Sequence, residues 1–278
     1  MTKPFCYHNP VIAYFSPTGT SRKVAQAIAR GLKTAKTTEI DVTKAPLTSK
    51  ETLSSEHVLI IAVPVYGNAC APIALQRLDM LYGNNTPAIA VVVYGNRDFG
   101  NAANELFDFL TQRSFCVIGA AAFVGEHSYS TPQAPIAEGR PGSNDLREAE
   151  HFGHKLGVKM QHTITPIDIT ALKRPSGNLL GKLRFMAFVL RYRSAQKKHP
   201  VKVLPITNAD LCHRCGLCVN ACPVAAIPAK CPTKTYDHCI KCAACVKACP
   251  QRARTLPTPF APVLAKNFKK QKPNITIC

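Results

Sequence analysis

Val11-Ile12-Ala13-Tyr14-Phe15 runs straight into Ser16-Pro17-Thr18-Gly19-Thr20-Ser21. The first five residues are apolar and rich in strand formers. After the loop, Val24, Ile28 and Leu32 recur at spacing four, a helical period. Further strand candidates follow at Glu39–Val42, Val58–Val65, Ala88–Tyr94 and Phe115–Val124, with helical stretches around 70–82, 99–112 and 143–161. This alternation predicts a parallel sheet covered on both faces. The near-continuous apolar character of 58–65 and 88–94 fits strands buried on both sides.

The first loop offers four hydroxyls and one glycine within six residues. Backbone N–H groups at a helix N-terminus, with the hydroxyls of Ser16, Thr18, Thr20 and Ser21, can surround a phosphate. No lysine follows the glycine in the Walker position, which disfavours a nucleoside triphosphate loop. An ordinary capped helix start is the plainer alternative. Two more loops fall at the C-terminal ends of expected strands, where open α/β sheets bind ligands. They are Pro64-Val65-Tyr66-Gly67-Asn68 and Tyr94-Gly95-Asn96-Arg97-Asp98-Phe99. Each sets a tyrosine beside a glycine and an asparagine. Such a tyrosine can lie flat on an aromatic ring, and the glycine lets the backbone reach the ring edge. Either loop alone reads as a turn; three in chain order point to a ligand.

On these residues the chain resembles the flavodoxin family over about residues 8–161. That family's phosphate loop has the form Ser/Thr-x-Thr-Gly-x-Thr, matched by Ser16-Pro17-Thr18-Gly19-Thr20-Ser21 with serine in the last place. The resemblance implies a doubly wound five-stranded sheet in the order 2-1-3-4-5 with FMN at the switch point. It also implies that Tyr66 and Tyr94 flank the isoalloxazine. Gly125-Glu126-His127-Ser128-Tyr129-Ser130 follows the fifth strand and is expected to help close the site, although a lone loop histidine is more often a surface residue. Many flavodoxins are acidic around the flavin. Here Arg97 lies in the third loop, where it is expected to stabilise the reduced anion; a solvated loop charge is the alternative.

The chain has 278 residues, which at ~150 per domain predicts about two domains. Apolar residues at 46% and charged residues at 18% exclude disorder for most of it. No apolar run reaches the ~18 residues of a spanning helix, and Met1 to Pro10 has no signal-peptide h-region. The formal charge is +19, unevenly spread: net +2 over 1–162, +8 over 163–204 and +9 over 205–278. Of 13 cysteines only Cys6, Cys70 and Cys116 precede residue 200. The expected organisation is an α/β domain over 1–162, a basic connector over 163–203, a small α+β domain over 204–256 and a basic tail over 257–278.

Cys212-x2-Cys215-x2-Cys218-x3-Cys222-Pro223 is followed by Cys239-x2-Cys242-x2-Cys245-x3-Cys249-Pro250. Every element of the first run recurs in the second at one constant offset, an internal duplication whose flanks include Asp210 and Asp237. Short spacing lets three thiolates from one loop reach three irons of a cube. Zinc sites prefer two Cys-x2-Cys pairs without a third cysteine and a Cys-Pro ending. A disulfide framework would need an oxidising compartment. The region resembles the bacterial-type two-[4Fe-4S] ferredoxins over about 204–256. In those proteins the fourth ligand comes from the other run, which implies a crossed assignment. Cys212, Cys215, Cys218 and Cys249 would hold one cluster, and Cys239, Cys242, Cys245 and Cys222 the other. Cys70 and Cys116 read as packing residues, and Cys231 and Cys278 lack ligand spacing.

In the connector, Leu179 to Tyr192 is apolar with Lys182, Arg184, Arg191 and Arg193 interrupting it. On a helix, Lys182 and Arg193 fall on one side and Arg184 and Arg191 roughly opposite, a poor single amphipathic face. The stretch is expected either to pack as a helix with its arginines reaching out or to meet an acidic partner or anionic lipid. Nucleic acid is disfavoured because no binding fold accompanies the charge. The whole resembles flavodoxin–ferredoxin fusion proteins of anaerobes. That resemblance implies a cytoplasmic electron carrier with FMN and two [4Fe-4S] clusters, serving a redox partner with an acidic surface. The alternative is a flavin-dependent reductase of a small substrate such as a quinone, for which His127 and Tyr129 are the local acid/base candidates.

Overall fold

A computed structural model of the chain describes residues 10–33 and 36–278, so Cys6 lies outside the described residues. Two compact units form. The first comprises the described residues up to Glu126, Gly139–Pro175 and Lys272–Cys278; the second comprises His127–Glu138 and Ser176–Gln271. Residues 127–138, most of the expected connector and 257–271 thus group with the cysteine runs, while 163–175 and 272–278 group with the α/β unit.

The first unit is built on a seven-stranded sheet. Its main strands are β1 (Pro10–Tyr14), β2 (Thr38–Asp41), β3 (Val58–Tyr66), β4 (Thr86–Tyr94), β5 (Phe115–Val124) and β6 (Ile275–Ile277). They run in the order β6-β5-β4-β3-β1-β2, which contains the expected 2-1-3-4-5. β1 to β5 pair in parallel. A two-residue strand, Ala69–Cys70, folds back on β3. Parallel neighbours need crossovers. Those after β1 and β4 carry α1 (Thr20–Gly31) and α3 (Ala102–Thr111), a shorter α2 (Pro72–Arg77) follows β3, and α4 (Ser143–His162) comes after β5. β4 is buried at every position, as its apolar run requires, whereas the edge strand β2 buries only Ile40.

Alternate strand residues, among them Ile12, Ile60, Val91 and Phe123, pack with Val24 and Ile28 of α1 and Phe152 and Leu156 of α4. α1 and α4 approach until backbone meets backbone. A Cβ on Gly31 would sit 1.9 Å from the Glu150 carbonyl oxygen, and one on Gly153 would sit 2.0 Å from that of Ile28. Only glycine fits either position.

β6 has no counterpart among the expected strands. It pairs antiparallel with β5, Ile275 to Ala122 and Ile277 to Ala120, and a buried polar node holds it there. Arg140 and Asp145, both largely buried, form an ion pair. Arg140 Nη1 donates to the Lys272 carbonyl at 2.7 Å and Asn274 Nδ2 donates to Asp145 Oδ1 at 2.8 Å. The Val124 N–H donates to Asn274 Oδ1 at 2.9 Å.

The second unit carries the cysteine duplication on short elements. Ile206–Thr207 pairs antiparallel with Arg254–Thr255. The helices α6 (Leu217–Ala221) and α7 (Ala244–Lys247) begin at matching places in the two repeats. α5 (Leu179–Lys198) crosses α8 (Phe260–Asn267) through an aromatic contact: Phe185 meets Phe268 at 5.6 Å, and Phe188 and Tyr192 meet Phe260 at 5.2 and 5.1 Å. Residues 127–138 join this packing, with Tyr129 and Ile136 against Leu264 and Phe268.

Burial works to raise the Asp145 pKa, but hydrogen bonds from Arg140, Asn274 and the Gly142 N–H hold it below its ordinary value. The carboxylate therefore contributes stability above the unfolded Asp pKa of about 4, and loses it as pH falls through the folded value. Removing one partner of such a buried pair costs about 3–5 kcal/mol. The urea midpoint of the protein should fall more steeply between pH 5 and pH 3 than that of Asp145→Asn, which lacks the titrating group; parallel pH profiles would contradict this.

Candidate functional site

The Ser16–Ser21 loop joins β1 to α1 as expected. Gly19 caps the helix at φ 80°, a left-handed conformation open to glycine at no steric cost. A Cβ there would meet no atom within 4 Å, so the turn faces open space. The loop is braced from inside: the Arg22 N–H donates to Ser16 Oγ at 3.1 Å, and the Ser16 N–H donates to Thr43 Oγ1 at 2.9 Å. Arg77 Nη1 holds the Val42 and Thr43 carbonyls. Ser16, Pro17, Thr18, Gly19 and Thr20 remain partly exposed. The N–H groups of Thr20 and Ser21 open the helix without intrahelical partners. This cradle fits a phosphate. Ser21 is placed differently: its side chain is fully buried and its Oγ has no partner, so no ligand reaches it without a rearrangement.

Pro64, Val65 and Tyr66 end β3 partly exposed. Gly67 at φ 62° and Asn68 at φ 86° form a two-residue turn into Ala69, since Tyr66 pairs with Ala69. Two consecutive positive φ values define the tight hairpin turn that Gly and Asn favour. The turn holds Tyr66 at the sheet's C-terminal edge. Arg97 donates to Asn68 Oδ1 and so ties the third loop to the second. Burial pushes the Arg97 pKa down, against the charge of Asp98, which raises it.

Tyr94, which the resemblance sets beside a flavin together with Tyr66, lies in the core. It is 1% exposed, sits edge-on to Phe99 at 5.6 Å, and donates its hydroxyl to the Pro273 carbonyl at 3.3 Å. Asn96 is buried as well and accepts the Lys272 N–H at 2.8 Å, and Phe99 is core. The returning C-terminal segment binds Tyr94 and Asn96, and in the third loop Gly95, Arg97 and Asp98 stay partly exposed, as Tyr66 does in the second. The sequence carried little signal of this, because three residues, Ile275-Thr276-Ile277, are too short to read as a strand.

His127 and Tyr129 fall in the second unit. The Tyr129 N–H donates to His127 Nδ1 at 3.0 Å and their rings lie 4.9 Å apart. Burial raises the Tyr129 pKa, and Cys242 and Cys239 raise it further, so its hydroxyl neighbours the second cysteine run.

The cysteines gather in crossed sets. One small cavity is lined by Cys239, Cys242, Cys245 and Cys222. Another is lined by Cys212, Cys215, Cys218 and Cys249. The duplication extends to the backbone. Arg214, Gly216 and Ala225 have positive φ, and so do Lys241, Ala243 and Arg252 at the corresponding places of the second repeat. Left-handed residues reverse the loop around a central volume and turn N–H groups inward. The Ala226 N–H reaches Cys222 Sγ at 3.2 Å and the Lys241 N–H reaches Cys239 Sγ at 3.4 Å. Four thiols around each cavity, with amides directed at sulfur, fit a cube. Among the described residues, no group of His, Cys, Asp or Glu is gathered tightly enough for a single metal ion. Burial pushes the free Cys242 thiol up to about 12 and raises Cys239 and Cys245 as well, so filling this cavity with metal displaces protons.

Cys70 is buried, with its thiol against the Ala102 carbonyl at 3.2 Å, whereas Cys231 and Cys278 are exposed. Sequence reasoning passed over Arg254, which lines the cavity of Cys212 and is 2% exposed. The internal repeat held the signal, since Arg254 stands where the first repeat has Ile227.

A family profile described as a 4Fe-4S binding domain matches residues 205–227 and 230–255. A search among curated proteins found no match. Among solved structures, a flavodoxin from the domain Archaea is 14% identical with a TM-score of 0.38, over 55% of this chain and 99% of that one. Oxidised flavodoxin 1 from Bacillus cereus is 17% identical with a TM-score of 0.39, over 56% and 99%. Rubredoxin oxygen:oxidoreductase from the anaerobe Desulfovibrio gigas is 12% identical with a TM-score of 0.40, over 57% of this chain and 37% of that one. By its own strand order and this family match, the chain joins a flavodoxin-like α/β unit to a 4Fe-4S binding domain, an architecture for electron transfer.

Proposed function

We propose that the chain is an electron carrier that binds FMN on the first unit and two [4Fe-4S] clusters on the second, linking one- and two-electron partners. The reading is carried by the two four-cysteine cavities, each drawing three cysteines from one run and one from the other. Bound flavin exchanges one or two electrons and each cluster exchanges one. The protein's part is to bind and to set potentials. Thr18, Gly19 and Thr20 cradle the phosphate, Tyr66 offers a ring face, and Arg97, fixed on Asn68, places a positive charge at the strand ends. The chain passes between the units at four points, after Glu126, Glu138, Pro175 and Gln271.

The competing reading, a flavin-dependent reductase of a small substrate such as a quinone, relies on His127 and Tyr129 beside the flavin. Both are grouped with the second unit, where Tyr129 packs with Leu264 and Phe268. No observation favours that reading over the carrier.

Anaerobically purified protein should hold about eight iron and eight sulfide per chain, with one FMN. Cys249→Ser and Cys212→Ser should each halve the iron and leave the same residual paramagnetic signal, distinct from the one left by Cys239→Ser and Cys222→Ser. A Cys249→Ser residual matching that of Cys239→Ser would refute the crossed sets, and Cys231→Ser should change neither iron nor signal. In a flavin redox titration, Arg97→Ala should lower the midpoint potential of FMN reduction; an unchanged midpoint would assign Arg97 to loop bracing alone.

A further inference from the structure

α5 presents two apolar faces. Phe185, Phe188 and Tyr192 turn to α8, and Gly181 lets the helices close, since a Cβ there would lie 2.7 Å from the Asn267 carbonyl oxygen. The face away from α8 carries Leu179, Leu183, Met186 and Leu190, at spacings of four, three and four, all between 57% and 71% exposed. Exposed Lys182 and Arg193 border this stripe on one side, and Arg184 and Arg191 on the other. No acidic residue occurs between Asp168 and Asp210. Among the described residues no helix is long and apolar enough to cross a membrane.

We infer that α5 lies in the plane of an anionic lipid surface, with the Leu/Met stripe in the acyl boundary and its basic borders on lipid headgroups. An aliphatic stripe between two cationic rows matches the layering of an interface. The aromatic side chains that dominate protein–protein hot spots are all turned inward on α8. A second copy would set like-charged rows against each other. The test uses the full holoprotein and co-sedimentation with vesicles of phosphatidylglycerol mixed into phosphatidylcholine. Binding should occur there, be absent on pure phosphatidylcholine, and weaken at least tenfold in L183E/L190E, whose positions are exposed and outside the core. Failure to bind the anionic vesicles, or equal binding by the variant, overturns the inference. Concentration-dependent dimerisation lost in the variant, without vesicle binding, overturns it in favour of a second copy. Binding only to an acidic protein overturns it in favour of a protein partner.

A separate observation concerns Arg254. Its first-repeat counterpart, Ile227, is a buried apolar residue, yet Arg254 is itself buried. Nη1 donates to Thr207 Oγ1 at 3.0 Å and to the Pro232 carbonyl at 2.6 Å, Nη2 donates to Thr235 Oγ1 at 2.5 Å, and Nε has no partner. None of these partners carries a negative charge. The only acids after residue 204 are Asp210 and Asp237, both exposed. A buried cation without a counter-charge is costly. Arg254 lines the cavity of Cys212, Cys215, Cys218 and Cys249, and its charge also acts on Cys239 and Cys245 of the other set.

On the two-cluster reading above, the geometry points to Arg254 as a positioning residue whose counter-charge is the pair of anionic clusters, and which raises the potential of both. Each cluster gains one negative charge on reduction, so a fixed cation favours the reduced form. Iron content and paramagnetic signals test the two-cluster reading by themselves. Potentiometric titration of loaded Arg254→Ile, the first-repeat residue, tests the inference. Both midpoints should fall, corresponding to at least a tenfold loss in the one-electron reduction equilibrium, about 59 mV. Arg254→Lys should keep most of the wild-type value. Unmoved midpoints in a loaded variant overturn the inference. If Arg254→Ile does not load, Arg254→Gln replaces it, and equal midpoints for the Gln and Lys variants overturn it.

Discussion

Arg140 and Asp145 anchor the return of the chain to its first sheet. The pair sits at the start of α4 and reaches the Lys272 carbonyl, Asn274 and, through Asn274, the last residue of β5. Once that segment is in place, β5 has a neighbour on its outer side, and the Pro273 carbonyl and Lys272 N–H take up Tyr94 and Asn96. One buried ion pair therefore decides which side chains of the third loop remain available to a ligand. It also makes the end of a basic tail into part of the α/β unit. Its energetic weight comes from burial: neither charge can be left alone there without a large desolvation cost.

The cysteine unit depends on a different constraint, the repetition of backbone conformation. Positive φ recurs at three positions in each repeat, and in five of the six the residue is not glycine. Such conformations cost about 1–2 kcal/mol per residue, so they persist only where the loop must curl around something. Gly216 meets that demand without strain, while Ala243 holds the matching place in the second repeat with it. The local backbone is shaped for a guest, and the amides on Cys222 and Cys239 are already aimed at sulfur.

The charge of the chain divides by burial. Most of its cations are solvated, and the basic rows of α5 flank exposed aliphatic side chains. Arg254 differs from them, a cation buried inside the cysteine unit whose Nη1 and Nη2 donate to hydroxyl and carbonyl oxygens. Composition counts both kinds alike. Their physical effects differ, because a buried charge acts through a low dielectric on whatever sits beside it and a solvated one is screened.

Much was legible in the residues. Apolar runs at Val11–Phe15, Val58–Val65, Ala88–Tyr94 and Phe115–Val124 marked the strands of the parallel sheet, since only strands covered on both faces are apolar throughout. The Ser16–Ser21 loop falls between strand and helix as its residues imply, and cysteine spacing alone announced the duplication. These are local signals, written within a turn or a strand. What the residues did not disclose was non-local: the return of Ile275–Ile277 to β5, the burial of Tyr94 and Ser21, the transfer of His127 and Tyr129 to the second unit, and which face of α5 is free. On the α5 helix, periodicity showed apolar residues on nearly every side. Only the aromatic contact with α8 determined which of them pack and which remain exposed, because packing depends on a partner far along the chain.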